Sequence, residues 1–164
     1  MKNNRKQIKD LTVGALVAAL YVLLTLLSSI LGLSSGVIQL RFSEALCILP
    51  IFFPSAVSGL FVGCVISNIL SGAVVWDVIF GSLATLIGAL GVLAMRRLPD
   101  KLIWLSTLPT VIANALIVPY VLVYAYGSTE ALPFIMLTVF IGEAISAGVG
   151  GTLLYHSLKR VFPR

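Results

Sequence analysis

The sequence predicts an all-α membrane protein of six transmembrane helices, and three observations carry that prediction. Of the 164 residues 59% are hydrophobic and 10% charged, with a mean hydropathy of +1.10. A soluble domain is about 45–50% apolar and about 25% charged. Long stretches almost without charge recur from end to end. The length holds about six spans of about 20 residues with short links, so residues 1–164 read as one transmembrane domain with no soluble unit. Finally, ten of the eleven Lys and Arg residues fall in three clusters: Lys2, Arg5, Lys6 and Lys9; Arg96, Arg97 and Lys101; Lys159, Arg160 and Arg164. Clusters at helix ends mark the cytoplasmic side, so a net charge of +5 reports topology and not a nucleic-acid partner.

The first helix is expected over 10–32. Its apolar run from Leu11 to Leu33 exceeds the hydrophobic region of a signal peptide, and no A-x-A cleavage signal follows it. It ends in "GLSSG". A second helix over 37–53 stops near Pro50 and Pro54, where proline opposes continuation. A third covers 55–72 and is closed by "SGAVVWD"; a fourth runs over 77–95 to "MRRLPDK". The fifth covers 101–126, with bends expected at Pro109 and Pro119. The sixth covers 131–157, after "YGSTEA". Six spans put both termini on one side, and with that side cytoplasmic all three basic clusters agree. The links at 33–36, 72–76 and 127–130 then lie outside. Four spans would need one helix through "PIFFPSAVSG", which its two prolines oppose.

Inside these spans the strongly polar residues are Arg41, Glu44, Asn68, Asp77, Asn114 and Glu143. A charge at mid-membrane costs roughly 2.5–3.5 kcal/mol on insertion scales, so such groups normally face an interior site. Arg41, Glu44, Asn68 and Asp77 fall in the outer part of their helices. Asn114 and Glu143 fall near mid-span, with Trp76, Tyr120 and Tyr124 toward the outside. This is the layout of a pocket open to the exterior and closed below. Plainer roles stand beside it. Arg41 and Glu44 form an i,i+3 pair able to make an internal salt bridge, and Asp77 is placed to cap the fourth helix. Asn68 and Asn114 suit interhelical hydrogen bonds, and the aromatics suit an interfacial belt. If Arg41 neutralises Glu44, Asp77 and Glu143 lack a cationic partner. A small cationic or N–H-rich aromatic solute would supply one.

Enzymatic chemistry has little to stand on. The chain has no P-loop, and His156, its single histidine, sits where a helix C-terminal role fits. Cys47 and Cys64 read as buried thiols. No metal or cofactor is expected. The pairs Gly14/Ala18 and Ala15/Ala19 in the first helix permit close helix approach, either within the bundle or against a membrane partner.

The stretches "IQLRFSEALCILPIFFPSAVSGLFVGCVISNIL", "WDVIFGSLATLIGAL" and "GEAISAG" resemble the queuosine-precursor transporters (QueT type), S subunits of energy-coupling factor (ECF) transporters, across essentially the whole chain. The resemblance implies a six-helix S-component bundle with cytoplasmic termini. Such a subunit captures prequeuosine, an aminomethyl-deazaguanine, or a relative from outside a prokaryotic cell. It implies a transmembrane T subunit and two ATPase subunits as partners, with Ala15 and Ala19 on the docking face. Alternatives are an S component for another aromatic vitamin of thiamine or pterin type, a ligand-free membrane scaffold, and a proton-coupled exporter using Glu143.

Overall fold

The computed structural model describes residues 2–34 and 38–162 of the chain, without the side chains of residues 2 and 3. Parts of the "GLSSG" link, the first residue expected for the second helix, and Arg164 therefore lie outside the described residues, as does the side chain of Lys2. The described residues are all-helical, with no strand among them. The helices are α1 (Lys2–Ile30), α2 (Ala56–Leu70), α3 (Val75–Ala94), α4 (Leu108–Tyr124), α5 (Leu132–Glu143) and α6 (Gly151–Lys159). A 3₁₀ helix, Phe42–Ile51, lies between α1 and α2, and another, Asp100–Thr107, runs directly into α4. A π-helical turn, Ala144–Gly150, joins α5 to α6 in one continuous rod. Four stretches are long and apolar enough to cross a membrane: Asn4–Ile30, Val75–Ala94, Asp100–Tyr124 and Leu132–Lys159. Phe42–Ile51 and Ala56–Leu70 are apolar but shorter.

The second expected helix is thus corrected. Residues 38–41 form no helix, Arg41 is extended (φ −120°, ψ 109°), and the stretch from Phe42 to Ile51 winds as 3₁₀. In an α-helix the ring of Pro50 would strike the carbonyl of residue 46. Ten residues at the 3₁₀ rise of about 2.0 Å cover roughly 20 Å, against about 15 Å for α. The extended entry, at about 3.3 Å per residue, adds further length to the same rod. Every residue of this helix except Phe42 and Ala45 is buried, because α1, α2, α3 and α6 all pack on it. It is the central rod of the bundle. The bend expected at Pro109 falls where the second 3₁₀ helix gives way to α4, while α4 continues through Pro119.

Small residues set the neighbours. Gly59 and Gly63 of α2 lie against Gly14 and Ala18 of α1, so close that a Cβ on Gly59 would sit 2.3 Å from the Gly14 carbonyl oxygen. The two helices therefore run in the same direction, with the 3₁₀ rod returning beside them. Gly88 and Gly91 of α3 likewise admit Thr110 and Pro109 of α4. These contacts put the 52–55 link, the α3–α4 link and the end of α6 at one end of the bundle, together with Arg5, Lys6, Lys9, Arg96, Arg97, Lys101, Lys159 and Arg160. We call this the basic end. There Phe52 stacks on Tyr155 (ring centroids 5.2 Å apart), Phe53 meets Phe162 edge-on, and Lys159 pairs with Asp100. The opposite, distal end carries residues 31–34 and 38–41, the turn at 71–74 and the 125–131 segment.

Candidate functional site

The site begins with the backbone of residues 38–42, threaded between α1 and the α5–α6 rod. Leu40 N–H donates to the Leu33 carbonyl (2.9 Å), Arg41 N–H to Ser146 Oγ (3.2 Å), and Phe42 N–H to Ser28 Oγ (2.9 Å). Such an extended strand inside a helical bundle would otherwise leave N–H groups unpaired in an apolar medium, at several kcal/mol each. Gly142 makes room for it, since a Cβ there would fall 2.1 Å from the Gln39 carbonyl oxygen. The π turn immediately after Glu143 presents Ser146 to the strand. Single π turns often occur at functional sites.

Three carboxylates from three elements come together around Arg41, and each has a different environment. Glu44, 2% exposed, has both oxygens occupied: the Tyr21 hydroxyl donates to Oε1, and the Cys47 thiol donates to Oε2 (3.3 Å). Asp77, 6% exposed, accepts the Tyr126 hydroxyl at Oδ2 (2.9 Å). Glu143 has a buried Oε2 with no hydrogen-bond partner among the described residues. A buried carboxylate oxygen without a donor is costly, so it points to a partner supplied from elsewhere.

Arg41 does not neutralise the cluster. Among the described residues its side chain makes no ion pair within 4.0 Å, the pair there being Lys159 with Asp100. The expected Arg41–Glu44 salt bridge is therefore absent, because the extended backbone at Arg41 takes its side chain off any α-helical face shared with Glu44. Instead the guanidinium is attracted chiefly by Asp77, and less by Glu44. Glu143 is repelled by Glu44 and attracted by Arg41, with Asn114 alongside. Three carboxyl groups thus share one guanidinium in the distal half of a membrane bundle.

The amides frame the cluster. Asn68 donates to the Asp77 backbone carbonyl (3.3 Å) and toward Cys64 Sγ (3.7 Å), while Asn114 donates to the Thr110 carbonyl one turn back (3.2 Å). Asp77 is not the cap of α3. Val74 holds that position, and Asp77, three residues in, sends no side-chain bond to the helix start. Its acid sits favourably in the first turn while the Tyr126 phenol takes its oxygen. Burial, and after it the charge of Asp77, push that phenol above its ordinary value, so it remains a donor at neutral pH.

Trp76, Tyr120 and Tyr124 lie elsewhere. With Phe80, Leu116 and Val121 they line an apolar groove of about 400 Å³ between α3 and α4 at the distal end. Trp76 stacks with Phe80 (6.0 Å) and Tyr120 with Tyr124 (6.3 Å, 8° between planes), all four exposed on the bundle surface. None of the polar cluster lines that groove. Sequence reasoning did not single out Tyr21, Tyr126, Ser28 or Ser146. Tyr21 sits in an apolar run whose periodicity says nothing of the acid opposite it, and Tyr126 follows two surface tyrosines in "YVLVYAYG". Ala15 and Ala19 face away from the bundle, whereas Gly14 and Ala18 are spent on packing against α2.

Residues 11–160 match the family described as QueT transporter. The Queuosine precursor transporter QueT of Lactococcus lactis subsp. cremoris (strain MG1363) is 42% identical over 96 residues, covering 58% of this chain and 56% of that protein. The matched stretch thus spans little more than half of the curated relative. No solved structure matches the chain.

Proposed function

The chain belongs to the QueT transporter family, and on that footing we propose that it is the substrate-binding S subunit of an ECF-type importer for a queuosine precursor. It is a multi-pass protein of the cell membrane. In this reading all six helical rods cross the bilayer, the short 3₁₀ rod by virtue of its extended entry. The basic end is cytoplasmic, and the ligand enters from the distal end. The ligand is an aminomethyl-deazaguanine such as prequeuosine, whose amine is cationic at neutral pH and whose guanine edge offers N–H donors.

The observation that supports this most is the unpartnered Oε2 of Glu143 beside one guanidinium and two carboxylates already engaged. Glu44 already accepts from Tyr21 and Cys47, and Asp77 from Tyr126. Glu143 is thus the acid we assign to the amine, with Asn114 beside it. Arg41 offsets part of the remaining charge, keeping the site attractive to a cation without three uncompensated acids. Titration of the purified protein with prequeuosine, queuine and guanine should give saturable binding strongest for the aminated base. Absence of saturable binding to any deazaguanine would remove the substrate assignment.

Energy for uptake comes, in the same reading, from a T subunit and two ATPases, with the exposed Ala15/Ala19 stripe of α1 as the T-subunit face. Small residues let two helix backbones approach closely, and an indole there would hold them apart. Ala15→Trp should therefore bind ligand at wild-type affinity yet lose most co-purification with the T subunit and most uptake. Normal assembly and transport by this variant would rule out the face.

A further inference from the structure

The surface groove beside Trp76 and Tyr124 does not end in mid-membrane. Leu116 and Ile117 line both it and a second apolar groove of about 480 Å³ nearer the basic end, so the two form one furrow along the α3–α4 seam. The close approach of the helices creates it. A Cβ on Gly91 would sit 2.3 Å from Pro109 Cβ, so Gly91 makes a floor. Ile87 of α3 and Ile112 and Leu116 of α4, each about half exposed, stand as its two walls. The two ends of the furrow differ in charge. The distal end opens between Trp76, Tyr120 and Tyr124, and residues 70–76 and 120–131 contain Glu130 but no Lys or Arg. At the basic end, Met95 leads into a cavity of about 350 Å³ lined by Leu93, Ala94, Arg96 and Arg97. Ala94 lies two turns beyond Ile87 on the same face of α3, so this cavity continues the wall of the furrow. Both arginines are exposed, and Arg97 has no carboxylate within 4.0 Å among the described residues.

We infer that the basic-end half of this furrow is a binding site for one anionic phospholipid. Its acyl chain lies along Ile87, Gly91 and Ile112, and its phosphate sits at Arg96 and Arg97. From Ile87 to Met95 the helix rises roughly 12 Å, most of one leaflet of a hydrocarbon core about 30 Å thick. With the basic end cytoplasmic, the lipid belongs to the inner leaflet. A guanidinium meets phosphate oxygens in pairs, which a lysine ammonium does not, and basic pockets between transmembrane helices on the cytoplasmic side suit anionic headgroups. A partner helix or a second copy would fill the apolar part equally well, but it brings no anion to the arginines. The furrow shares no residue with the acid cluster, so the lipid site stands whether or not that cluster binds a deazaguanine.

Native mass spectrometry of the detergent-purified chain, titrated with dioleoylphosphatidylglycerol or dioleoylphosphatidylcholine, tests the site. The anionic lipid should bind about tenfold or more tighter, since each basic side chain near the headgroup favours it several-fold. Arg96→Gln combined with Arg97→Gln should bring the two lipids within about twofold of each other. Replacing Arg5, Lys6 and Lys9 together by Gln, at the same end but on α1, should leave the preference intact. An equal loss in that variant would overturn the site and make the preference a property of the whole basic end. Ile112→Trp fills the furrow from a half-exposed position. It should weaken both lipids about tenfold while the melting temperature holds. Undiminished lipid binding by this variant would take the chain out of the furrow and overturn the assignment. Competition by excess glycerol 3-phosphate would reduce the site to one for phosphate alone. A wild-type dimer abolished by Ile112→Trp would give the furrow to a second copy. Either result overturns the lipid.

Discussion

Glu143→Gln should lower the affinity for prequeuosine by roughly thirtyfold or more. Removing one partner of a desolvated charge pair costs about 2–5 kcal/mol, and every 1.4 kcal/mol is about tenfold in Kd. The same change should leave the binding of guanine, which lacks the amine, nearly as it was. It should not lower the melting temperature, because the wild-type Oε2 is buried without a partner among the described residues and removing its charge relieves a desolvation cost. Calorimetric titration of both ligands and a thermal melt of the same preparation read all three effects. Equal losses for prequeuosine and guanine would show that Glu143 does not meet the amine. A large fall in melting temperature would make it a structural acid.

Gly142→Ala should damage both stability and binding. The new Cβ would lie 2.1 Å from the Gln39 carbonyl oxygen and 3.2 Å from its carbon, and these are backbone atoms with nowhere to go. The strand is pinned on either side of the clash by Leu40 to Leu33 and by Arg41 to Ser146. Overpacking a tight interior costs about 1–3 kcal/mol even where side chains can yield. Here relief requires the strand to leave Ser146, carrying Arg41 away from the acids. Gly148→Ala, six residues along the same rod, meets only Thr107 Oγ1 at 4.0 Å and should be tolerated. Thermal unfolding in detergent together with prequeuosine titration distinguishes the pair. Similar melting temperatures for the two variants would show that the approach of Gln39 to the rod is not a constraint.

The order of the helical rods and the set of buried polar residues were legible because both depend on one-dimensional patterns. Apolar runs, prolines and basic clusters delimit rods, and a lone acid such as Glu143 in "FIGEAISAG" stands out against lipid-like neighbours. The winding of residues 42–51 was not legible. A stretch buried on nearly every side has no amphipathic period, so 3₁₀ and α read alike. The pairing of charges was hidden for a related reason. Arg41 and Glu44 are three apart, but whether they meet depends on the backbone at Arg41, which Ser146 fixes from 105 residues away. The donors to Glu44 and Asp77 come from Tyr21 and Tyr126, contacts across the fold that no local spacing encodes.

The central 3₁₀ rod also constrains how the protein is made. Its neighbours include α1, translated before it, and α6, translated about a hundred residues after it. An acid such as Glu44 on a short rod has no stable resting place in lipid until those helices surround it. Residues 38–53 must therefore wait at the membrane surface, or only partly inserted, while roughly a hundred further residues are synthesised. Ser146 and Tyr155 then lock the two ends of the rod. Biogenesis of the recognition centre is thus a late and concerted event, completed when the final rod slides in beside the second.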